Sequence, residues 1–215
     1  MKIDAFVFDA YGTLYDIHCV SQLTEQEFPG HGDLITQVWR LKQLEYTWLR
    51  SQMQAYRSFW EISRESLVYT LRAIGLPTQQ STVDRILDKY LHLDPYPDCL
   101  SALDALAGVP LAILSNGNQE ILDKLVANTG LDTKLHSVIS VDRARRFKPH
   151  PLAYELVEQT LHVKPENVMF VSANSFDATA ASNFGFQVAW IERVTPESMA
   201  HEIASRETVD PATMF

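Results

Sequence analysis

The sequence predicts an α/β protein: a Rossmann-like open parallel sheet core with an inserted small helical cap domain. Three observations carry that prediction. Five short apolar runs rich in branched and aromatic residues, at 3–8, 111–114, 137–141, 168–171 and 187–191, read as strands buried on both faces. Helical stretches such as 119–129 and 151–161 lie between most of them, the alternation that right-handed crossovers of a parallel sheet require. Between the first and second runs lie roughly ninety residues with no comparable strand, far more than a direct crossover needs.

Taken in order, the first strand ends at Asp9, and residues 1–14 with 98–215 form the expected core domain. Residues 15–97 form the expected cap. Asp33 is placed to cap a long helix running through Trp39, Leu44 and Trp48, with apolar side chains continuing to Phe59 and Trp60. That helix is apolar on more than one face, so it is expected to carry a second contact as well as its own packing, and homodimerisation through it is predicted. Further helices are expected over 63–74, stopping at Gly75-Leu76-Pro77, and over 83–90. Asp94-Pro95-Tyr96-Pro97 makes a stiff return to the core. After helix 151–161, Val163-Lys164-Pro165 turns the chain into the fourth strand, and from Thr195 a polar tail is expected at the periphery. There is no internal repeat.

Composition narrows the function. The chain has 215 residues and a formal net charge of −9, which argues against nucleic acid as the partner. A small anion remains possible if a few cations converge locally. Nothing approaches a membrane span or a signal-peptide core, so a cytoplasmic protein is expected. Cys19 and Cys99 share no metal or redox spacing and read as small buried hydrophobes. The seven histidines are scattered, and His150 alone stands beside a motif.

In an open α/β sheet the ligand lies beyond the carboxyl ends of the strands. Asp9, Ser115, Ser172 and Asn174 all fall at or just past such ends and are expected to meet in one crevice. A strand-end aspartate often only caps a turn. Here Tyr11-Gly12-Thr13 follows it, adding a glycine turn that aims backbone N–H groups at one point and a hydroxyl beside the carboxylate.

The segment Phe8-Asp9-Ala10-Tyr11-Gly12-Thr13-Leu14 resembles the nucleophile motif of the haloacid dehalogenase superfamily, and within it the (S)-2-haloacid dehalogenases. The resemblance extends through Trp39-Arg40 with Leu44–Arg50, Leu114-Ser115-Asn116-Gly117, Lys148-Pro149 with Tyr154, and Val171-Ser172-Ala173-Asn174 with Asp177-Ala178. Phosphatases of the superfamily carry a second aspartate two residues after the nucleophile. Tyr11 stands there instead, and Asp177 is the single acid of the late motif. Hard divalent cations need several oxygen ligands, so the expectation is a site with no metal and no cofactor.

The resemblance implies that Asp9 displaces halide from the α-carbon of a short (S)-2-haloalkanoic acid, forming an ester that water hydrolyses to the (R)-2-hydroxy acid. It implies that Lys148 pairs with Asp9, with Tyr154 holding Lys148. Arg40 and Asn116 would bind the departing halide, with Leu44, Phe59 and Phe176 as apolar pocket positions; several relatives carry tryptophan where Phe176 stands. Ser115 and the backbone N–H groups of Ala10, Tyr11 and Asn116 would hold the substrate carboxylate. Thr13 supports Asp9, and Asp177, with Ser172 and Asn174, would orient the water.

Plainer readings stand beside these. Lys148 could be a surface lysine, Tyr154 a structural tyrosine, Arg40 a partner of Glu45, and Asp177 a helix cap. For the whole protein the alternatives are a small-molecule phosphatase of the same superfamily and a non-catalytic binding protein on this fold. A nucleotide-binding reading lacks its Gly-x-Gly-x-x-Gly loop.

Overall fold

A computed structural model describes residues 2–193, and the polar tail expected from Thr195 lies outside them. Five strands form one parallel sheet in the order β3-β2-β1-β4-β5: β1 Ala5–Phe8, β2 Leu111–Ser115, β3 Ser137–Ser140, β4 Val168–Ser172 and β5 Gln187–Trp190. Each lies within a residue or two of its predicted run. Every residue of β2 is buried, as a strand covered on both faces must be. β1 pairs Phe8 with Ile113 on one side and with Val171 on the other. The chain moves outward from β1 in one direction through β2 and β3, then returns to add β4 and β5. The strand order therefore reverses between β1 and β4, where a crevice opens at the carboxyl ends.

Five helices separate β1 from β2: α1 His18–Glu27, α2 Gly32–Gln52, α3 Phe59–Ala73, α4 Gln80–Asp88 and α5 Cys99–Ala105. Later come α6 Gln119–Thr129, α7 Pro151–Leu161 and α8 Ser175–Phe184. No described helix is long and apolar enough to cross a membrane. Both cysteines are free.

Two expectations for α2 need correction. Asp33 does not cap it: His31 occupies the N-cap, and the Asp33 carboxylate accepts a hydrogen bond from Ser21 Oγ at 2.9 Å. Nor does the helix reach Trp60. The chain takes a left-handed turn at Gln54, φ 56°, and a new helix starts after Ser58. Tyr56, Phe59 and Trp60 therefore lie outside α2, and Phe59 opens α3.

That restart matters because Phe59 belongs to an aromatic chain leading to the strand-end turn. The Trp39 and Tyr90 rings meet edge-on at 5.6 Å, Tyr90 meets Tyr11 edge-on at 5.4 Å, and Tyr11 stacks on Phe59 at 5.7 Å. Polar ties fasten the same region to the sheet's loops. Phe147 N–H donates to Ser51 Oγ at 2.8 Å, Trp60 N–H to Asn118 Oδ1 at 2.8 Å, and Tyr56 Oη to Asp142.

Ser58 and Glu61 start α3 with a reciprocal capping box: Ser58 Oγ accepts from Glu61 N–H, and the Glu61 carboxylate accepts from Ser58 N–H. Ser58→Ala should therefore lower unfolding free energy by about 1 kcal/mol in urea titration. An unchanged midpoint would mean that packing of Phe59 alone sets the start of this helix.

Candidate active site

The first side chain of the site is placed by a tight turn. The N–H groups of Leu14 and Tyr15 both donate to Ala10 carbonyl at 3.0 Å, and Gly12 N–H reaches Tyr15 carbonyl at 2.8 Å. Closing that turn requires φ +80° at Gly12, which glycine adopts without a Cβ clash. Asp9 thus leaves the end of β1 pointing into the crevice. Its Oδ2 accepts from Thr13 Oγ1 at 3.0 Å and from Asn174 Nδ2 at 2.8 Å. Its Oδ1 meets Lys148 Nζ at 3.1 Å.

Lys148 is 1% exposed and also meets Asp177 Oδ2 at 2.8 Å, so one ammonium bridges two carboxylates. Burial pulls the Lys148 pKa down, but the Asp177 and Asp9 charges outweigh it, and the net direction is up. The lysine stays cationic at neutral pH. Asp177, fully buried, is pushed up to about 6 by desolvation and by the Asp9 charge, with Lys148 opposing. Tyr154 Oη donates to Asp177 Oδ1 at 2.7 Å and Ser172 Oγ to Asp177 Oδ2 at 3.2 Å. Tyr154 therefore anchors Asp177, and through it Lys148, rather than Lys148 directly. Asp177 sits in the first turn of α8, where a negative charge faces the helix's positive end, yet its side chain turns to Lys148 and Tyr154 instead of capping.

Across the crevice, Arg40 of α2 donates to Gln43 Oε1 at 2.9 Å and to Asn174 Oδ1 at 3.5 Å. Glu45 is taken by Lys42 at 2.6 Å, so the alternative pairing with Arg40 is not made. Gln43 in turn donates to Ser63 Oγ at 2.7 Å, fixing its amide so that its oxygen faces the guanidinium. Both acceptors on Arg40 are neutral amides. An arginine held that way keeps its charge for an anion.

Asn116 Oδ1 accepts from Lys148 N–H at 2.9 Å, which leaves Nδ2 as a donor, and Ser115 Oγ accepts from Gly117 N–H at 3.1 Å. Among the described residues, the backbone N–H groups of Ala10, Tyr11 and Asn116 have no acceptor. The cavity beside Asp9 is lined by Asp9, Tyr11, Arg40, Phe59, Ser115 and Asn116, with Lys148, Asn174, Phe176 and Asp177. Trp48 of α2 braces Phe176 edge-on at 5.5 Å.

Not every expected residue lines this cavity. Leu44, one turn beyond Arg40 on α2, is half-buried and outside the lining. Ala10, Thr13, Tyr154 and Ser172 are also outside the lining; Thr13 donates to Asp9, Tyr154 and Ser172 donate to Asp177, and Ala10 can reach the cavity only through its backbone N–H. His150 caps α7, its ring nitrogen accepting from Leu152 N–H at 3.2 Å. Sequence reading passed over Gln43, although its place three residues after Arg40, on the same helical face, was a usable signal. Among the described residues, no group of three or more His, Cys, Asp or Glu side chains converges as a metal site would. Lys148 Nζ occupies the space between the two carboxylates where a divalent ion would need oxygen ligands.

A buried strand-end acid, a crossover lysine and an arginine from helices inserted after the first strand define a class of hydrolase. Residues 3–185 match the family model for haloacid dehalogenase-like hydrolases, and the chain belongs to that family. It is 51% identical over 99% of its length to "(S)-2-haloacid dehalogenase" of Xanthobacter autotrophicus, covering 84% of that protein. It is 45% identical to "Haloacetate dehalogenase H-2" of Moraxella sp. (strain B), covering 89% of this chain and 87% of that one. A solved structure of the Xanthobacter L-2-haloacid dehalogenase with chloropropionic acid covalently bound superposes with a TM-score of 0.87 at 50% identity, covering 99% and 86% of the two chains.

Removing the bridging cation leaves two carboxylates facing each other in the dry interior. Lys148→Met should cost on the order of 3 kcal/mol at neutral pH. The cost should be larger at about pH 9 than at about pH 5: the variant lacks the lysine that holds the Asp177 carboxyl down to about 6, so that carboxyl takes its proton at a higher pH and the repulsion disappears as pH falls. Urea unfolding at the two pH values checks this; an equal loss at both would contradict the charge argument.

Proposed function

We propose that this protein hydrolyses short (S)-2-haloalkanoic acids to (R)-2-hydroxy acids and halide without a metal ion. The observation that carries the reading is the Lys148 bridge between Asp9 and Asp177 facing an arginine whose protein partners are neutral amides. Such a pairing offers a rigid carboxylate nucleophile on one side and a vacant positive potential on the other.

Asp9 Oδ1 carries one hydrogen bond and Oδ2 carries two, so Oδ1 keeps the lone pair better able to attack. It displaces halide from the α-carbon with inversion. An ester joins Asp9 to the acid, and the bonding electrons leave with the halide toward Arg40 and Asn116, beside the edge of Phe176. Ser115 and the N–H groups of Ala10, Tyr11 and Asn116 hold the substrate carboxylate. Esterification removes the Asp9 charge that had pushed Asp177 upward, so Asp177 ionises more readily when a water must be deprotonated. That water attacks Cγ of Asp9, and the ester breaks to release the 2-hydroxy acid, with one water oxygen left in the carboxylate. The phosphatase alternative wants an acid at position 11, where the Tyr11 ring is packed between Phe59 and Tyr90.

We assign the cap to residues 15–97 and the core to 1–14 and 98–215, because Arg40 of the first and Asp9 of the second line one cavity. Leu34, Leu41, Trp48 and Leu49 on α2 and Met53 at its end are exposed, which supports a homodimer through this helix in a cytoplasmic enzyme.

Halide release from both 2-chloropropionate enantiomers and from chloroacetate, with chelator present, tests the reaction. Release from the (S) form and from chloroacetate is expected, with none from Asp9→Asn. Chelator-sensitive turnover of a phosphate ester instead would overturn it. The pH profile has a definite sign: kcat should rise with pH as Asp177 ionises, with its midpoint below the free enzyme's value of about 6 because the ester carries no Asp9 charge, and then stay level because Lys148 titrates above its ordinary range. A profile falling across that interval would contradict the assigned water-activating role.

A further inference from the structure

We propose that Gly117 sets the size of the acid this site accepts, by leaving room for the Tyr11 ring; the substrates named rest on the dehalogenase reading above. Gly117 has no positive φ that would demand glycine, unlike Gly12. What demands it is space. A Cβ built there would lie 2.8 Å from Tyr11 Oη, 3.0 Å from Tyr11 Cε2 and 3.1 Å from Leu122 Cδ2. Leu122 is fully buried in the core, so the methyl cannot be relieved on that side.

Nor can the ring move freely. Tyr11 is 4% exposed, stacked on Phe59 and met edge-on by Tyr90. Displacement away from Gly117 drives it against those two rings, and both Tyr11 and Phe59 line the substrate cavity. The Tyr11 hydroxyl is itself buried with no partner among the described residues, an arrangement that costs free energy and has no hydrogen bond to hold it. Its position is fixed by packing alone, with Gly117 as the open face of that packing. An aromatic residue two places after the nucleophile and a glycine two places after β2 therefore form one device. The cavity wall formed by Tyr11 and Phe59 stays back only while position 117 has no side chain. Gly117 is a positioning residue: it touches Tyr11, not the reacting atoms.

The test is a double-mutant cycle of Gly117→Ala and Tyr11→Phe, read in two ways. In turnover, Gly117→Ala should lower kcat/KM for (S)-2-chloropropionate about tenfold more than for chloroacetate, which lacks the methyl group. In the Tyr11→Phe background, where the atom at 2.8 Å is gone, the same substitution should cost less selectivity. In thermal unfolding, which needs no turnover, the midpoint loss from Gly117→Ala should likewise be smaller when the hydroxyl is absent. Equal losses on both acids, or additive midpoint shifts, would overturn the proposal. Should the wild-type protein release halide from neither acid, the dehalogenase reading fails. The unfolding cycle then still decides the contact: coupling supports it and additivity overturns it.

Discussion

A single ammonium group, Lys148 Nζ, buried between Asp9 and Asp177, is the interaction on which the rest of the site depends. Two carboxylates this close and this dry repel each other, and a shared cation makes the arrangement tolerable only when the remaining lone pairs are also satisfied. They are. Thr13 and Asn174 donate to one acid, while Tyr154 and Ser172 donate to the other. The Phe170 ring lies 5.1 Å from the ammonium. Arg40, half-buried across the crevice, adds a second cation opposite the two carboxylates. A displacement would move one negative charge from Asp9, beside the lysine, to a departing halide on the arginine's side.

Fold and chemistry meet at the reversal of strand order. β1 supplies Asp9 and β4 leads to Ser172 and Asn174, the two strands flanking the crevice, while β2 adds Ser115 and Asn116. The loop before α7 brings Lys148, and its backbone N–H is pinned by Asn116. Sheet-derived groups thus prepare the nucleophile. The helices inserted after β1 deliver Arg40 and Phe59 from the opposite side. Asn174 serves both, donating to Asp9 through Nδ2 and accepting from Arg40 through Oδ1. One amide holds the nucleophile and orients the cation that faces it.

Much of this was legible in sequence because its signals are local. α6 and α7 match their expected spans, with Gly130 in the left-handed conformation ending one and Pro151 starting the other. Strand-end positions alone pointed to Asp9, Ser115 and Asn174, which line one cavity, while Ser172, expected with them, lies outside the lining and bonds to Asp177. Other features were not local. α1 buries only Val20, Ser21 and Thr24, too small and polar a face to show as periodicity. The end of α2 turns on Gln54 adopting a left-handed φ, which its residue type does not announce. Tyr154 was expected on Lys148 but bonds to Asp177, a choice made by the distance across α7 and α8. The contact of Tyr11 with Gly117 exists only in three dimensions.

The central claim is that an Asp9 carboxylate oxygen ends up on the product and is replaced from water. A single turnover of (S)-2-chloropropionate in heavy-oxygen water, followed by mass spectrometry of the peptide containing Asp9, reads this directly. The account predicts one heavy oxygen in the Asp9 side chain and none in the hydroxyl of the first lactate released. Label in the lactate with Asp9 unlabelled would mean that water attacks the α-carbon directly, and would contradict it.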